Sequence, residues 1–596
     1  MKKFFICGLI IAAVSVITFS TSCLSTERPV NDIVKLLPEN TDFMLKIGSV
    51  ETVYKHFSVT ENSVFGEPVK EIEDIKAELG FNPLVLSDLK SNGFDTGKDI
   101  GFMFNDFKFE NEKPDFNFLI FIPVTDGKKV VDKIKTWAKK ENSEVKFIQD
   151  GNITAIKEKN DNLYMFTKAN YLFIGGNTNA KDAKAFVKTA EAGKTSLLKT
   201  KIYKDAAKKV PGKDLFAFIN VPKVMPKALE IVEAASKKTG KPMPDIGNSL
   251  KYIEDYQGAC LSVNLENNDL VINGAGNIVS DSKLHNIYKG VNFKKETVLG
   301  IKDNPAILFS AALNAREYYN FLMETFPEEE KAKFKSGLQE IKTTVGIDVE
   351  KEVIENLAGS FNLGIYDGLS INIMNYNTVL SLSVKDEALM KKVIEKAISS
   401  MPPEKQQMAV KTKLGNLDVY AISVGGGMTQ LYIGIKDKNL IVSVGKPMFE
   451  KAVSGKVSSG FTSAMADKKL AGTLKKENTN IIYFNVSEIY SIFKTFATFA
   501  NKFSKSSSPD KPAVDPRVEE LINQFDYLLV SSWMEGNSSV TEMTFKTNFK
   551  EPFFKGLVNF SKELQKLKPA KKPDAPKKEE EKEDDDDKPG LPKKQS

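Results

Sequence analysis

FINVPKV at residues 218–224 and YFNVSEI at residues 483–489 share an Asn-Val pair that follows two apolar residues, with another apolar residue three positions after the valine. Ahead of the first pair, Leu215-Phe216-Ala217-Phe218-Ile219 is a short apolar run rich in aromatics, bounded by Pro211-Gly212, so it reads as a strand. Pro222 follows directly, and proline suits the first turn of a helix, where its missing N–H has no partner to lose. In the second copy Ser487 is expected to cap the helix and Glu488 to sit in its first turn. The pair therefore marks a strand-to-helix junction. Asn220 and Asn485 are expected to bond nearby backbone there and not a ligand.

Working outward, further matches appear in the same order. LPENTDFMLKIGSVETVYKHF (37–57) lies on IKDNPAILFSAALNAREYYNF (301–321), which matches Asn40 with Asn304, Tyr54 with Tyr318 and Phe57 with Phe321. Gly93-Phe94-Asp95 meets Gly346-Ile347-Asp348, Asp126 meets Asp386, and Asn170-Tyr171-Leu172 meets Asn439-Leu440-Ile441. The turn Glu266-Asn267-Asn268 meets Glu535-Gly536-Asn537. All separations lie between 253 and 269 residues, the mark of a duplicated unit. Two homologous halves follow, 33–290 and 296–550. A fainter likeness of 37–53 to 210–224 suggests two related units inside each half.

The later part of each half alternates short β-runs with polar turns, as in GNITAIKEKNDNLYMFTKANYLFIGG and GNLDVYAISVGGGMTQLYIGIKDKNLIVSVG. CLSVNLENNDLVINGAG and YLLVSSWMEGNSSVTEMTF read as hairpins. Helical periods occur in KKVVDKIKTWAKK, DAKAFVKTAEAG and DEALMKKVIEKAISS. The expected class is α+β, with antiparallel meanders and helices packed on one face.

The ends differ from the body. MKKFFICGLIIAAVSVITFSTSC has a basic start, an apolar stretch and small residues before a cysteine, so residues 1–22 read as an export signal. Ser20-Thr21-Ser22-Cys23 resembles a bacterial lipobox, departing from it at Ser20, where leucine is usual. That resemblance implies acyl chains on Cys23, a lipidated linker over 23–32 and membrane anchoring. Leu24 in place of an aspartate implies the outer membrane. A terminal helix is expected over 551–567, and a disordered charged tail over 568–596, where acids and lysines come in blocks.

Composition excludes several functions. The net charge is +6 from 84 basic and 78 acidic residues, well mixed, so no nucleic-acid face is expected. Three cysteines and two histidines, with His56 and His285 far apart, leave no plausible His/Cys metal site and no expected cofactor. Cys260 lies in an apolar run and reads as a buried small hydrophobe. Gly193-Lys194-Thr195 lacks the upstream glycine of a phosphate loop, and Gly425-Gly426-Gly427 joins two strands. Asp126 and Asp386 each precede a helix and read as caps. No nucleophile elbow is present, so no catalytic residue is assigned and an enzyme is not expected.

One segment stands apart. SEIYSIFKTFATFANKF (487–503) places Tyr490, Phe493, Phe496, Phe499 and Phe503 around much of a helix, while the matching helix after Asn220 has no aromatics. So wide an apolar stripe either packs the helix into the core or offers a surface for an apolar ligand or a partner protein. Leu37 to Ile47, Asp303 to Ala311, and the Val-x-Asp junctions at Val124 and Val384 together resemble a group of large exported bacterial lipoproteins of unassigned function. That resemblance implies no catalytic residues. The expectation is a lipid-anchored envelope protein, probing either a protein partner or, alternatively, an apolar ligand held between sheet and helices.

Overall fold

Both Asn-Val phrases end strands that occupy matching places in one antiparallel sheet. The computed structural model describes residues 31–567 apart from 66, 111–112, 142, 159–160, 213, 240–251, 253, 267, 292–304, 367–376, 425–428, 455–478 and 504–515. The export signal, Cys23 and the charged tail lie outside the described residues.

The first half holds strands β1 Phe43–Ser49, β2 Asp99–Glu110, β3 Lys113–Pro123, β4 Lys146–Asp150, β5 Ile153–Glu158, β6 Asp161–Lys168, β7 Tyr171–Asn177, β8 Leu215–Ile219, β9 Tyr256–Glu266 and β10 Asp269–Ile278. The second holds β11 Pro305–Ala312, β12 Leu357–Tyr366, β13 Asn377–Val384, β14 Ala409–Leu414, β15 Leu417–Val424, β16 Thr429–Lys436, β17 Asn439–Val444, β18 Asn480–Asn485, β19 Phe525–Glu535 and β20 Ser538–Thr547. The spatial order of the first half is β4-β5-β6-β7-β3-β2-β1-β8-β9-β10. The second half repeats that order with every label raised by ten. All twenty strands form one sheet, joined where β10 pairs with β20.

Register repeats as well as order. Phe43 faces Ile219 across β1 and β8, and Ile307 faces Phe484 across β11 and β18. Cys260 faces Ala275, and Leu529 faces Thr544. Because side chains alternate between faces, a one-residue slip would turn every apolar group the wrong way, and this pins the register. One matching shifts: Pro123 pairs with Tyr171 and Ser383 with Asn439, so Tyr171, and not Asn170, is the counterpart of Asn439. At the joint, Asn273 faces Glu542, and the ladder runs from Leu270–Phe545 to Asn277–Ser538. Those two central residues are counterparts, so an approximate two-fold axis passes between them, as in an isologous dimer.

The helices include α1 Val50–His56, α2 Gly127–Glu141, α3 Lys184–Ala192, α4 Lys201–Ala207, α5 Val221–Thr239, α6 Ala315–Thr325, α7 Glu328–Thr344, α8 Glu387–Ser399, α9 Lys446–Ser454, α10 Val486–Phe503 and α11 Phe553–Lys566, with further short helices at Ile72–Leu79, Leu86–Ser91, Lys283–Tyr288 and Pro516–Ile522 among those between. The α+β class is as expected, but the helices cover both faces. Val187, Ala190, Tyr203 and Ala206 of α3 and α4 pack with Met44, Phe121, Phe173, Phe216 and Phe218 on one face. Val53, Tyr54 and Phe57 pack with Leu45 and Ile47 on the other. A sheet whose two faces are both apolar needs both covered. Caps fix where helices begin: Asp126 Oδ1 accepts from Lys129 N at 2.9 Å and Asp386 Oδ1 from Leu389 N at 3.0 Å.

The inner likeness of 37–53 to 210–224 joins neighbours: β1 and β8 pair, Asn220 N donates to Asp42 O at 2.8 Å, and Gly48 N donates to Asp214 O. Helix α11 closes one end of the joint. Phe549, Phe553 and Phe554 cluster with Leu265, and Phe554 stacks 5.8 Å from Phe57. Gly556 permits that approach, since a Cβ there would fall 2.4 Å from the Phe549 ring.

Candidate functional site

Strand β18 delivers the chain to Asn485, whose Oδ1 accepts from Glu488 N at 3.1 Å and from Ser487 Oγ at 2.9 Å. Asn485 is thus the cap of α10, and Ser487, expected in that role, instead braces it. The asparagine is two residues earlier, directly before the helix, where its side chain reaches the orphan N–H three positions on. In the first half, Asn220 O accepts from Lys223 N and Val224 N as α5 begins.

Helix α10 packs against β11 and β19, and Lys494 pairs with Glu519 of the helix Pro516–Ile522 at 2.6 Å. Of the five aromatics expected to form a surface, Phe493 projects outward, 63% exposed. Tyr490 is half-buried, its hydroxyl enclosed without a hydrogen-bond partner. Phe496, Phe499 and Phe503 lie within α10, with side chains outside the described residues. The counterpart α5 packs against β2 and β9 and carries Pro226 inside it.

Matched positions elsewhere in the two halves differ in the same sense. Leu45 is 6% exposed and its counterpart Phe309 is 38% exposed. Tyr54 is 9% exposed and its counterpart Tyr318 is 38% exposed. Phe309 meets Phe361 edge-on at 5.7 Å, and Tyr318 stacks on Phe321 at 6.1 Å. The cause lies in the connection after each first helix. In the first half, residues 57–91 return over the strands and supply Val59, Val64, Phe65, Leu86 and Leu89 to the Leu45 cluster. Tyr54 donates to Pro83 O there, and burial pushes its hydroxyl well above the ordinary tyrosine range. In the second half the chain forms α7, a charged helix with no buried residue. Phe309 and Tyr318 were not singled out from sequence; their signal is that aromatic residues stand at matched positions where the chain goes on into a charged helix with no buried residue.

The other candidates are structural. His285 Nδ1 accepts from Asp281 N at 3.1 Å, and His56 is buried beside the Leu45 cluster in α1. Cys260 is buried under Tyr203, and burial pushes its thiol up. The apolar cavity beside Tyr54 holds about 80 Å³, lined by Ile47, Val53, Leu79, Phe81 and Ile100 among others. Among the described residues no helix is long and apolar enough to cross a membrane.

These features define a class: a duplicated antiparallel-sheet protein with one closed half and one half that presents aromatic side chains. The chain belongs to the family described as "Protein of unknown function (DUF3352)", whose sequence pattern matches residues 105–540. No curated protein matches it. Among solved structures, crystal form III of TP0453 is similar at 8% identity and TM-score 0.24, covering 42% of this chain and 80% of that one. Crystal form IV of TP0453 is similar at 8% identity and TM-score 0.25, covering 44% and 87%. Likenesses of that size define no common fold and carry no function across.

Proposed function

We propose that this is an exported bacterial envelope protein, anchored by lipid on Cys23 and held at the outer membrane, that binds or organises an envelope protein partner without catalysing a reaction. The observation that carries the binding role is Phe493, a large apolar side chain facing solvent on a helix whose counterpart is not aromatic. Exposed aromatics of this kind form the anchors of protein interfaces. Phe309 and Tyr318 add exposed rings in the same half. The alternative, a carrier of an apolar ligand, needs a cavity of about 300–1,000 Å³. The apolar cavity beside Tyr54 is far smaller, about 80 Å³, which favours the partner reading.

Crosslinking at native abundance, followed by pull-down and lipid analysis of the same sample, tests both. The expected result is a stable protein partner that Phe493→Ser loses. Capture that is unaffected by Phe493→Ser removes the surface, and a co-purifying lipid with no protein partner moves the reading to the carrier. Cys23→Ala is expected to release the protein from membranes, and unchanged retention sinks the anchor.

A further inference from the structure

In the middle of β2 the apolar run Ile100 to Phe104 is interrupted by the polar pair Asn105-Asp106. The ladder with β3 shifts between Asn105 and Lys108, and Asp106 takes a left-handed φ of 55°. This irregularity lies beside a cleft of about 450 Å³ to which the turn before β1 contributes together with β2, β3, α3 and α5. Asn105 is 3% exposed and lines the cleft, and its Oδ1 has no hydrogen-bond partner. Its cross-strand neighbour Asn117 also lines the cleft, its Oδ1 held by Asn177 Nδ2 at 3.1 Å.

The charges at the cleft are already matched. Lys223 sits 3.0 Å from Asp42, and Lys108 sits 3.1 Å from Asp106. What remains for a ligand is neutral: the amides of Asn40, Asn105 and Asn117 and the hydroxyl of Thr189, with the rings of Phe107 and Phe186 beside them. Amides can donate and accept together, and a buried acceptor left unmade costs about 1–3 kcal/mol. An incoming hydroxyl would satisfy it. Aromatic rings suit the apolar C–H faces of a polyhydroxylated ring.

Among the described residues of the second half, the matched positions carry different side chains. Tyr366 stands in place of Asn105, pairs with Asn377 as Asn105 pairs with Asn117, and is buried in an apolar cluster. Ala306 replaces Asp42 and Glu488 replaces Lys223.

From this we infer that the first half binds an uncharged carbohydrate, one or two sugar rings in size, in the cleft around Asn105. The site is separate from the aromatic surface of the second half. Saturation-transfer NMR on the full chain with N-acetylglucosamine, maltose and cellobiose at millimolar concentration tests it. Transfer to ring protons of at least one sugar is expected. Asn105→Leu, which removes the orphan acceptor, and Thr189→Arg, which plugs the cleft from an exposed position, are each expected to weaken binding about tenfold or more. The second variant keeps the test sound if the first perturbs folding. Absence of transfer to all three sugars overturns the inference, as does transfer that survives both substitutions. A melting temperature raised by calcium chloride and by none of the sugars assigns the cleft to a cation and overturns it equally.

Discussion

Leu45 and Phe309 stand at the same place in two copies of one strand order, yet one is sealed and the other faces solvent. The difference is not in the pairing at these positions, since Leu45 faces Ala217 and Phe102 as Phe309 faces their counterparts Ile482 and Leu363. It lies in what returns over them: in the first half a connection through the helices Ile72–Leu79 and Leu86–Ser91 that packs apolar side chains on the Leu45 cluster, in the second a charged helix with no buried residue. A repeated scaffold can therefore keep its backbone and change its purpose by altering a connection. The first half spent that connection on closure, and the second left its aromatics available.

The largest expected break in this comparison is electrostatic. Lys46 is fully buried, paired with Asp99 at 2.9 Å and bonded to Gly212 O at 3.2 Å, while its counterpart Ser310 is buried with a hydroxyl that has no partner. Lys46→Ala should destabilise by about 3–5 kcal/mol because it strands a partly buried carboxylate. Ser310→Ala should cost little or even stabilise, since it removes an unsatisfied group. Denaturant midpoints of the two variants check the pair, and equal losses would show that the halves share one stability. Next in size, Leu45→Ala should cost about 2–5 kcal/mol, and Phe309→Ala clearly less despite the larger ring removed. The same midpoints decide this, and an equal or larger loss for Phe309 would mean that its exposure does not describe the protein in solution.

A smaller effect depends on pH. Tyr164 donates to Asp182 at 2.5 Å, and that bond, then the Lys184 N–H, holds the Asp182 carboxyl below its usual range. Its counterpart Tyr432 donates to neutral Gln430 at 2.6 Å. A depressed carboxyl contributes stability that is present above its unfolded pKa and lost as pH falls through its folded pKa. Tyr164→Phe should thus cost about 1 kcal/mol at neutral pH and less in acid, while Tyr432→Phe should cost the same at both. Melting curves at neutral and acid pH check this; parallel loss in both variants would refute the assignment. The smallest effect on folding is Phe493→Ser, within about 0.5 kcal/mol by the same melts, because the ring is already in water. A larger loss would place Phe493 in the core instead of on a binding surface.

Much of this fold was legible because it is local. Strand ends, caps at Asp126 and Asp386, and the Asn-Val junctions each depend on a few adjacent residues, and a duplicated unit writes them twice. Even so, one turn was matched a residue out, since Asn170 and Asn439 are the same residue type but stand on different rungs. Asn485 and Ser487 are both good caps, and only the observed start of the helix separates them. The placement of helices on two faces was not legible, because periodicity shows that a helix has an apolar side but not which side of the sheet receives it. Of the aromatic segment, its helix was readable from spacing; the exposure of Phe309 and Tyr318 depends on how the connection after each first helix folds back, which spacing does not show. The cleft at Asn105 was hidden for the same reason, with only the polar pair inside an apolar strand to signal it.

The ladder between β10 and β20 has a further consequence. Strands that end two like units and pair about an Asn273–Glu542 axis would, on separate chains, be bare edges seeking each other or any other strand. Carried on one chain, they meet at a local concentration on the order of millimolar or above, whatever the protein's abundance. The joint then holds at dilutions where a two-chain assembly would come apart, and it is spent on the correct partner before a stranger can reach it.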